Sequence, residues 1–386
     1  MKLIYITNAR IPTEKAHGLQ IMKMCEAFAA FKIKNQKLKI KDTIQNSKLS
    51  DDSGVQLIIP RRINSIKQDP FEYYDVKKVF KVKRISCLDL FWLKIIPLKI
   101  SFYIQWFSFA VFAVIYTFFR YKKSDNIFYS RDWLILFFLR IFGIEPVAEI
   151  HDYKAEKPKK WWIGYVMKKV KKIITNSEGT KFFLQEHYAI PDDKILVAPN
   201  GVDVNFFNIK ETKEEACQKL NLPQSKFIIS YIGRLETLGM EKGVDILIEA
   251  FSRLLKMRGD ILLLLVGGPD NLIKKYSRKA KELSIGDDNI IFTGQIPYKT
   301  IPNYLRAIDI VVVPFPYNKQ FAMTASPIKI FEFMAAGKVI LASELPSLRS
   351  VLNEKNASFF EPGNVIQLSE KLSFLMDNQE ISSVLA

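Results

Sequence analysis

The chain has 386 residues, 48% of them hydrophobic, and its 57 Lys and Arg outnumber 40 Asp and Glu to give a formal net charge of +17. This length allows two domains of ordinary size, and the apolar content suffices for two cores, which excludes a largely disordered chain. The positive charge favours an anionic partner, namely nucleic acid, an anionic membrane surface or a phosphorylated small molecule.

The N-terminus and the cysteines indicate a cytosolic protein. Residues 2–7 form a short apolar run followed at once by a polar loop, so we predict a first strand there rather than a signal peptide. Cys25, Cys87 and Cys217 are scattered, odd in number and without metal-ligand spacing. We therefore expect reduced thiols.

Short runs rich in Ile, Val and Phe alternate with helical patterns along the chain. Their apolarity is continuous, which is typical of strands covered on both faces in parallel α/β sheets. We predict an α/β fold with two parallel-sheet domains. The predicted strands are 2–7, 55–59, 126–129, 146–150, 172–175, 194–198, 227–232, 261–266, 289–292, 309–314, 338–342 and 357–360, and the predicted helices include 18–31, 244–256, 272–283 and 365–376.

A turn-rich exit at 199–203 and a polar stretch after it mark a domain boundary. We predict an N-terminal domain over 1–204, a linker over 205–225 and a C-terminal domain over 226–386. Because ligands of open α/β sheets bind beyond the carboxyl ends of the strands, the cleft between the two domains is the expected site.

Two segments suggest a lipid surface. Residues 101–119 carry no charge and are long enough to span a bilayer, but they contain polar residues and precede a strand of the same domain. We predict a helix packed on the sheet with an aromatic edge at a lipid surface. Residues 157–172 place Trp161 and Trp162 between Lys pairs, as in an interfacial helix, although a solvated basic face anchored by Trp is an equal alternative.

In the first half, two features could carry chemistry. His151 follows the predicted strand 146–150, where it could act as acid, base or hydrogen-bond donor, the alternative being a structural histidine tied to a turn. Gly18 could let the backbone approach a phosphate. No G-x-G-x-x-G, Walker A or Asp-x-Asp sequence accompanies them, so we expect no dinucleotide cofactor and no metal.

In the second half, two cations flank a strand-to-helix loop. Gly233 and Arg234 follow the strand 227–232, and Lys242 precedes the helix 244–256. Two fixed cations at a strand end suit a diphosphate, the alternative being ordinary surface charge. Free backbone groups near Ile296 could contact the edge of a nucleobase.

The segment 324–338 resembles a capped helix that binds an anion. Ser326 is a good N-cap and Pro327 fits the first helical position, so that backbone N–H groups and the helix dipole meet at Ser326–Ile328. Lys329 adds a mobile positive charge, and Glu332 could accept two hydrogen bonds from a ribose. The alternative is a packed helix with a surface Lys–Glu pair.

In this order, these motifs resemble those of the retaining glycosyltransferases of family 4 over nearly the whole chain. That family has the GT-B architecture, in which two Rossmann-like, doubly wound parallel-sheet domains face a central cleft. The resemblance rests on the Gly18 loop, His151-Asp152, Asn176-Ser177, Pro199-Asn200-Gly201-Val202-Asp203, Gly233-Arg234, Lys242-Gly243, Thr293-Gly294, Glu332 and Met334-Ala335-Ala336-Gly337.

The resemblance implies a nucleotide-diphosphate sugar as donor and no metal. It implies that Arg234 and Lys242 neutralise the diphosphate and that Glu332 holds the ribose. It further implies that Gly18 closes over the phosphates and that His151 hydrogen-bonds the transferred sugar. The leaving phosphate then helps to deprotonate the acceptor, and the anomeric configuration is retained.

The chain departs from the family pattern in three places. Thr324 stands where the family has a glutamate eight residues before Glu332, and a hydroxyl cannot accept the same bidentate hydrogen bonds. The spacing from Arg234 to Lys242 is long. The chain also stops at Ala386, whereas these folds usually finish with a helix that crosses back onto the first domain.

We expect sugar transfer to a lipid-linked or polysaccharide acceptor in cell-envelope glycan synthesis, at the cytosolic face of a membrane with an anionic surface. One alternative is a nucleotide-sugar epimerase or hydrolase of the same fold. A basic nucleic-acid-binding protein is the other, but the lysines are spread rather than aligned in one stripe, so we expect no nucleic-acid partner.

Overall fold

The computed structural model describes residues 1–13, 15–40, 54–93, 95–151, 161–237, 239–324 and 328–385. Within these ranges the chain forms two compact units. Among the described residues, unit one comprises Met1–His151, residues 161–175 and Lys181–Val197. Unit two comprises Asn176–Thr180 and the chain from Ala198 onward.

Unit one is built on a seven-stranded parallel sheet with the order β3-β2-β1-β4-β5-β6-β7. The strands are Lys2–Ile6 (β1), Val55–Arg61 (β2), Lys81–Ser86 (β3), Asn126–Ser130 (β4), Val147–Ile150 (β5), Lys172–Thr175 (β6) and Ile195–Val197 (β7). The helices between them are Ala16–Ile40 (α1), Pro70–Tyr73 (α2), Leu98–Arg120 (α3), Trp133–Ile141 (α4), Trp161–Lys169 (α5) and Glu178–Tyr188 (α6).

Unit two is built on a six-stranded parallel sheet with the order β12-β11-β8-β13-β14-β15. The strands are Phe227–Ile232 (β8), Ile261–Val266 (β11), Ile290–Gly294 (β12), Ile310–Val313 (β13), Val339–Ser343 (β14) and Ser358–Phe360 (β15), and a small antiparallel hairpin adds Glu236–Thr237 (β9) and Met240–Glu241 (β10). The helices are Val204–Phe207 (α7), Lys213–Lys219 (α8), Val244–Leu255 (α9), Asp270–Glu282 (α10), Ile301–Ala307 (α11), Lys319–Thr324 (α12), Ile328–Ala335 (α13), Pro346–Arg349 (α14), Val365–Asp377 (α15) and Gln379–Leu385 (α16).

Both faces of the unit-two sheet are covered, as the continuous apolar strands predict. Along β8, Ile228 packs into one core while Ile229 packs into the core on the opposite face. Along β11, Leu262 and Leu263 divide between the same two cores. The predicted α/β fold with two parallel-sheet domains is therefore confirmed.

The predicted strands match observed ones to within one or two residues, but β3 and the β9–β10 hairpin escaped prediction. β3 has the sequence Lys-Val-Lys-Arg-Ile-Ser and lies at the sheet edge with its charged residues exposed. An edge strand of this kind lacks the continuous apolarity on which the prediction relied. Each strand of the hairpin is only two residues long, too short for a periodic pattern.

The segment 205–225, expected as a linker, contains α8 and most of α7 and packs into unit two. Phe207, Ala216 and Cys217 are buried in its core. Thr212 caps α8 in a capping box with Glu215, which explains why the polar stretch is helical. The predicted division of the chain at 205–225 and the predicted cleft stay predictions.

Helix α3 packs on the unit-one sheet, as predicted, through Phe109, Ala110, Ala113 and Val114. By length and composition it is also the one helix, of those the structure describes, that could cross a membrane. Such a helix is weak evidence for a span, because the core helix of a soluble protein passes the same test.

Candidate functional site

The strand order of unit two creates a topological switch point between β8 and β13. The chain leads from β8 outward to β11 and β12 on one side, and then returns to β13 on the other side. Ligands of doubly wound sheets bind beyond the carboxyl ends of the strands at such a point. Gly233 and Arg234 follow β8 there, and Pro314 and Phe315 follow β13.

The β9–β10 hairpin brings Lys242 back to the residues that follow β8. The backbone N–H of Lys242 donates to the carbonyl of Leu235 at 3.0 Å. The hydroxyl of Tyr231 donates to the carbonyl of Arg234 at 2.6 Å, which fixes the backbone of this first cation. The long spacing between Arg234 and Lys242 is therefore occupied by the β9–β10 hairpin, which returns Lys242 to the C-terminal end of β8.

Gly243 ties the start of α9 to the end of β13. Its φ is +74°, and a Cβ at this position would lie 1.8 Å from the carbonyl oxygen of Pro314. Only glycine allows both the left-handed backbone and this approach. Lys242 is consequently held beside β13, with its Nζ 5.5 Å from the centre of the Phe315 ring.

Lys329 is a third cation at the same place. Its Cγ lies 3.9 Å from the position that a Cβ on Gly233 would take, so the stem of Lys329 passes beside the end of β8. Burial, together with the charges of Arg234 and Lys329, lowers the pKa of Lys242 to about 8. Three positive charges that repel one another in this way form a site suited to an anion.

Glu332 supplies one buried carboxylate next to these cations. Its side chain is 2% exposed, and its Oε2 lies 2.6 Å from the Nζ of Lys329. The pair is therefore not a surface ion pair. Tyr298 lies beside this pair, with its ring centre 5.7 Å from the Nζ of Lys329. Burial and the negative charge of Glu332 raise the pKa of its phenol.

The start of α13 is described only from Ile328 onward, and Ser326 and Pro327 lie outside the described residues. Thr324 ends α12, and its side chain is likewise not described. Ile296 follows β12 at the edge of the same sheet and packs against the core with a partly buried side chain.

Gly18, in unit one, is closely packed. A Cβ on Gly18 would lie 2.2 Å from the Tyr74 hydroxyl and 2.6 Å from the Thr13 methyl group. The Tyr74 hydroxyl accepts from the N–H of Thr13 at 2.6 Å and donates to its carbonyl at 2.7 Å. Packing alone requires a glycine here, and its predicted role at a phosphate stays a prediction.

His151 follows β5, and its Nε2 is hydrogen-bonded to Oε1 of the buried Glu149. Neither Glu149 nor Tyr298 was predicted as a site residue. A charged residue within the apolar strand Val-Ala-Glu-Ile is the signal that could have found Glu149. No comparable signal marks Tyr298.

The described side chains were also compared with the ligand groups that a metal ion needs. Among the residues that it describes, no group of three or more His, Cys, Asp or Glu could hold a metal ion. The anion site of Arg234, Lys242 and Lys329 has cations where a metal–diphosphate site needs carboxylates. That the protein needs no metal remains a prediction.

Comparison with solved structures identifies the class of fold. A crystal structure of Anabaena Alr3699/HepE in complex with UDP matches with a TM-score of 0.67 and 14% identity, covering 100% of this chain and 92% of that one. This likeness, with the two parallel-sheet units, shows the GT-B fold.

Two family models match the sequence. "Glycosyl transferases group 1" matches residues 212–385, and "Glycosyltransferase Family 4" matches residues 97–206, so that together they cover well over half of the chain. The chain belongs to the group 1, family 4 glycosyltransferases.

Curated relatives match over part of their length. Lipopolysaccharide 1,2-N-acetylglucosaminetransferase of Salmonella typhimurium is 31% identical over 179 residues, which are 45% of this chain and 44% of that protein. D-inositol 3-phosphate glycosyltransferase of Segniliparus rotundus is 27% identical over 188 residues, which are 48% of this chain and 39% of that protein. These matches span less than half of either relative.

Proposed function

We propose that the protein is a retaining glycosyltransferase that moves a hexose from a nucleotide-diphosphate sugar to an acceptor. The observation that carries the proposal is the convergence of Arg234, Lys242 and Lys329 at the switch point of unit two, beside buried Glu332. Family membership and the GT-B fold support it.

In the proposed reaction, the bond between the anomeric carbon and the donor phosphate oxygen breaks, and the acceptor oxygen bonds to that carbon on the same face. The acceptor proton passes to the departing phosphate. Negative charge grows on the diphosphate as this happens, and preorganised cations stabilise such charge most strongly in the transition state. Arg234 and Lys242 have this role, and no metal or other cofactor is required.

The remaining contacts orient the donor. Glu332 accepts hydrogen bonds from the ribose, and Lys329 then exchanges its contact with Glu332 for one with phosphate. The backbone of Ile296 contacts the base, and the helix start at Ser326, Pro327 and Ile328 adds donors to the phosphates. Gly18 closes over the phosphates, and His151 hydrogen-bonds the transferred sugar.

A thermal-shift panel of UDP, GDP and ADP tests the proposal. One of them is expected to raise Tm by about 4 °C or more at 100-fold excess over Kd. Arg234→Ala should remove most of that rise, because it deletes a diphosphate contact. Lys281→Ala, which removes an exposed lysine of α10, should keep it. The donor assignment is wrong if no nucleotide raises the Tm of the wild-type protein.

The acceptor is proposed to be lipid-linked, because the exposed face of α3 is apolar while polar residues of the helix lie on its buried face. Gln105 and Thr117 are fully buried, whereas Phe102, Phe107 and Phe119 are 43%, 55% and 82% exposed. Gln105 bonds to Asn8 and Thr117 to a helix carbonyl, so the inward polar groups are satisfied. Outward aromatics suit a hydrocarbon boundary rather than water.

Basic residues accompany this surface. Arg120, Lys122 and Lys123 lie at the C-terminal end of α3. Helix α5 begins with Trp161, whose side chain is 80% exposed, and carries two lysines in its last turn. Lysines beside exposed aromatics favour an anionic leaflet. We propose that unit one lies on the inner face of the cell membrane and that the acceptor belongs to cell-envelope glycan synthesis, as in the Salmonella relative's lipopolysaccharide.

Flotation with anionic vesicles at low salt checks the membrane surface. The wild-type protein should float, and Phe107→Ser with Phe119→Ser should lower the vesicle-bound fraction by about tenfold or more, since each buried Phe contributes roughly 1.5–3 kcal/mol. Phe374→Ser, at a 48% exposed position on α15 of unit two, is the matched control and should float as the wild type does. A wild-type protein that stays in the soluble fraction would end the membrane proposal.

A further inference from the structure

A buried carboxylate is hydrogen-bonded to His151. Glu149 lies in β5 and is 4% exposed. Its Oε1 is hydrogen-bonded to Nε2 of His151, and its Oε2 accepts from the hydroxyl of Tyr5 at 3.2 Å. Residues i and i+2 at a strand end share a face, so β5 itself places the carboxylate and the imidazole side by side.

Glu149 is ionised in this setting. Burial opposes the charged form, but the hydrogen bond from His151 and the positive charge of Arg131 outweigh it, and the pKa of Glu149 lies below its ordinary value. An ionised carboxylate has no proton to donate, so the hydrogen between Glu149 and His151 belongs to the imidazole.

We propose that Glu149 is a positioning residue, which holds His151 with the proton on Nε2 and so presents Nδ1 to the ligand. This inference rests on the proposed function, in which His151 contacts the transferred sugar. With Nε2 occupied, neutral His151 offers only an acceptor at Nδ1, and it therefore accepts a hydrogen bond from a sugar hydroxyl. The imidazole is 14% exposed and hydrogen-bonded to Glu149, and both features restrict its rotation.

The alternative is that Glu149 is only a satisfied polar group of the core, held by Tyr5. That alternative predicts a loss of stability on substitution but no loss of turnover in the protein that remains folded. The tautomer shows whether Glu149 holds the proton on Nε2, and the kcat of a folded Glu149 variant separates a positioning role from a purely structural one.

Nitrogen-15 NMR of the full chain with labelled histidine measures the tautomer of His151. The chain has three histidines, so His17→Gln and His187→Gln assign the signals of His151. We expect the wild-type His151 to carry its proton on Nε2 at neutral pH. Tyr5→Phe, which leaves the Glu149–His151 contact in place, should preserve that tautomer. A proton on Nδ1 in the wild-type protein would overturn the inference.

The variant Glu149→Gln tests the consequence for activity. An amide can either accept from or donate to Nε2, so the variant should show a mixture of tautomers. Its kcat should fall by about tenfold or more while the KM for the donor changes less than about twofold. An unchanged kcat in a folded Glu149→Gln protein would contradict the positioning role.

The two readouts also separate this inference from the proposed function. The tautomer is measured without donor or acceptor, so it stands or falls on Glu149 and His151 alone. If no nucleotide binds but Nε2 carries the proton, the sugar-transfer proposal fails while the Glu149–His151 contact is upheld. If a nucleotide binds but Nδ1 carries the proton, only the positioning role fails.

Discussion

Lys242→Ala is expected to lower kcat by about 100-fold or more while changing the KM for the donor by less than about fivefold. The reason is that negative charge on the diphosphate increases as the sugar departs, so a fixed cation contributes more in the transition state than in the bound donor. The structure holds Lys242 for this role through the hydrogen bond from its N–H to Leu235 and through Gly243 against Pro314.

Steady-state kinetics with the nucleotide sugar identified by thermal shift measure this effect. Lys281→Ala removes one lysine from the exposed surface of α10 and should keep kcat within about twofold. If Lys242→Ala weakens donor binding and turnover by equal factors, Lys242 is a binding residue only, and its role in stabilising the departing diphosphate is refuted.

The second large effect is a loss of nucleotide affinity at alkaline pH. The pKa of Lys242 in the free protein is lowered to about 8 by burial and by the charges of Arg234 and Lys329. A bound diphosphate favours the protonated lysine, so binding takes up a proton once the pH exceeds 8. The Kd of the nucleoside diphosphate, which already carries the charge that the donor gains only as its sugar departs, should therefore be nearly constant below pH 7 and rise above pH 8, by up to about tenfold per pH unit.

Lys242→Arg separates this effect from other titrations. Because a guanidinium stays charged over this range, the Kd of the variant should be flat from pH 7 to 9. Lys338 also has its pKa lowered to about 8, by burial first, but its Nζ donates to the carbonyl of Ile308 at 3.0 Å, before the start of β13 and hence at the opposite end of that strand. Lys338→Arg should thus retain the pH dependence. A flat profile in the wild-type protein would contradict the assignment.

The fold was predictable because its strands are short, apolar on both faces and separated by helical patterns. Phe227–Ile232 and Ile261–Val266 could be located to the residue for this reason. β3 could not be located in this way, because its sequence alternates charged and apolar residues and lacks the continuous apolar run on which the prediction relied. A local apolar pattern indicates a strand that is buried on both faces, whereas the formation of an edge strand depends on the neighbouring strand with which it pairs.

Features of the candidate site were predictable only where they depend on residues close together in the sequence. Gly233 and Arg234 follow a strand, and Lys329 and Glu332 are three residues apart on one helix, so sequence spacing alone indicates a strand end and an ion pair. The contact between Tyr5 and Glu149 joins residues 144 positions apart, which no local pattern encodes. The burial of Glu332 likewise depends on how α13 packs on the sheet.

The central claim is that Arg234, Lys242 and Lys329 bind a diphosphate, and isothermal titration calorimetry tests it most directly. The diphosphate of the preferred nucleoside is compared with its monophosphate on the wild-type protein and on Arg234→Ala. We predict that the wild-type protein binds the diphosphate at least about tenfold more tightly, and that the difference largely disappears in the variant. Equal affinity of the wild-type protein for the two nucleotides, or no binding of any nucleoside diphosphate, would contradict the account.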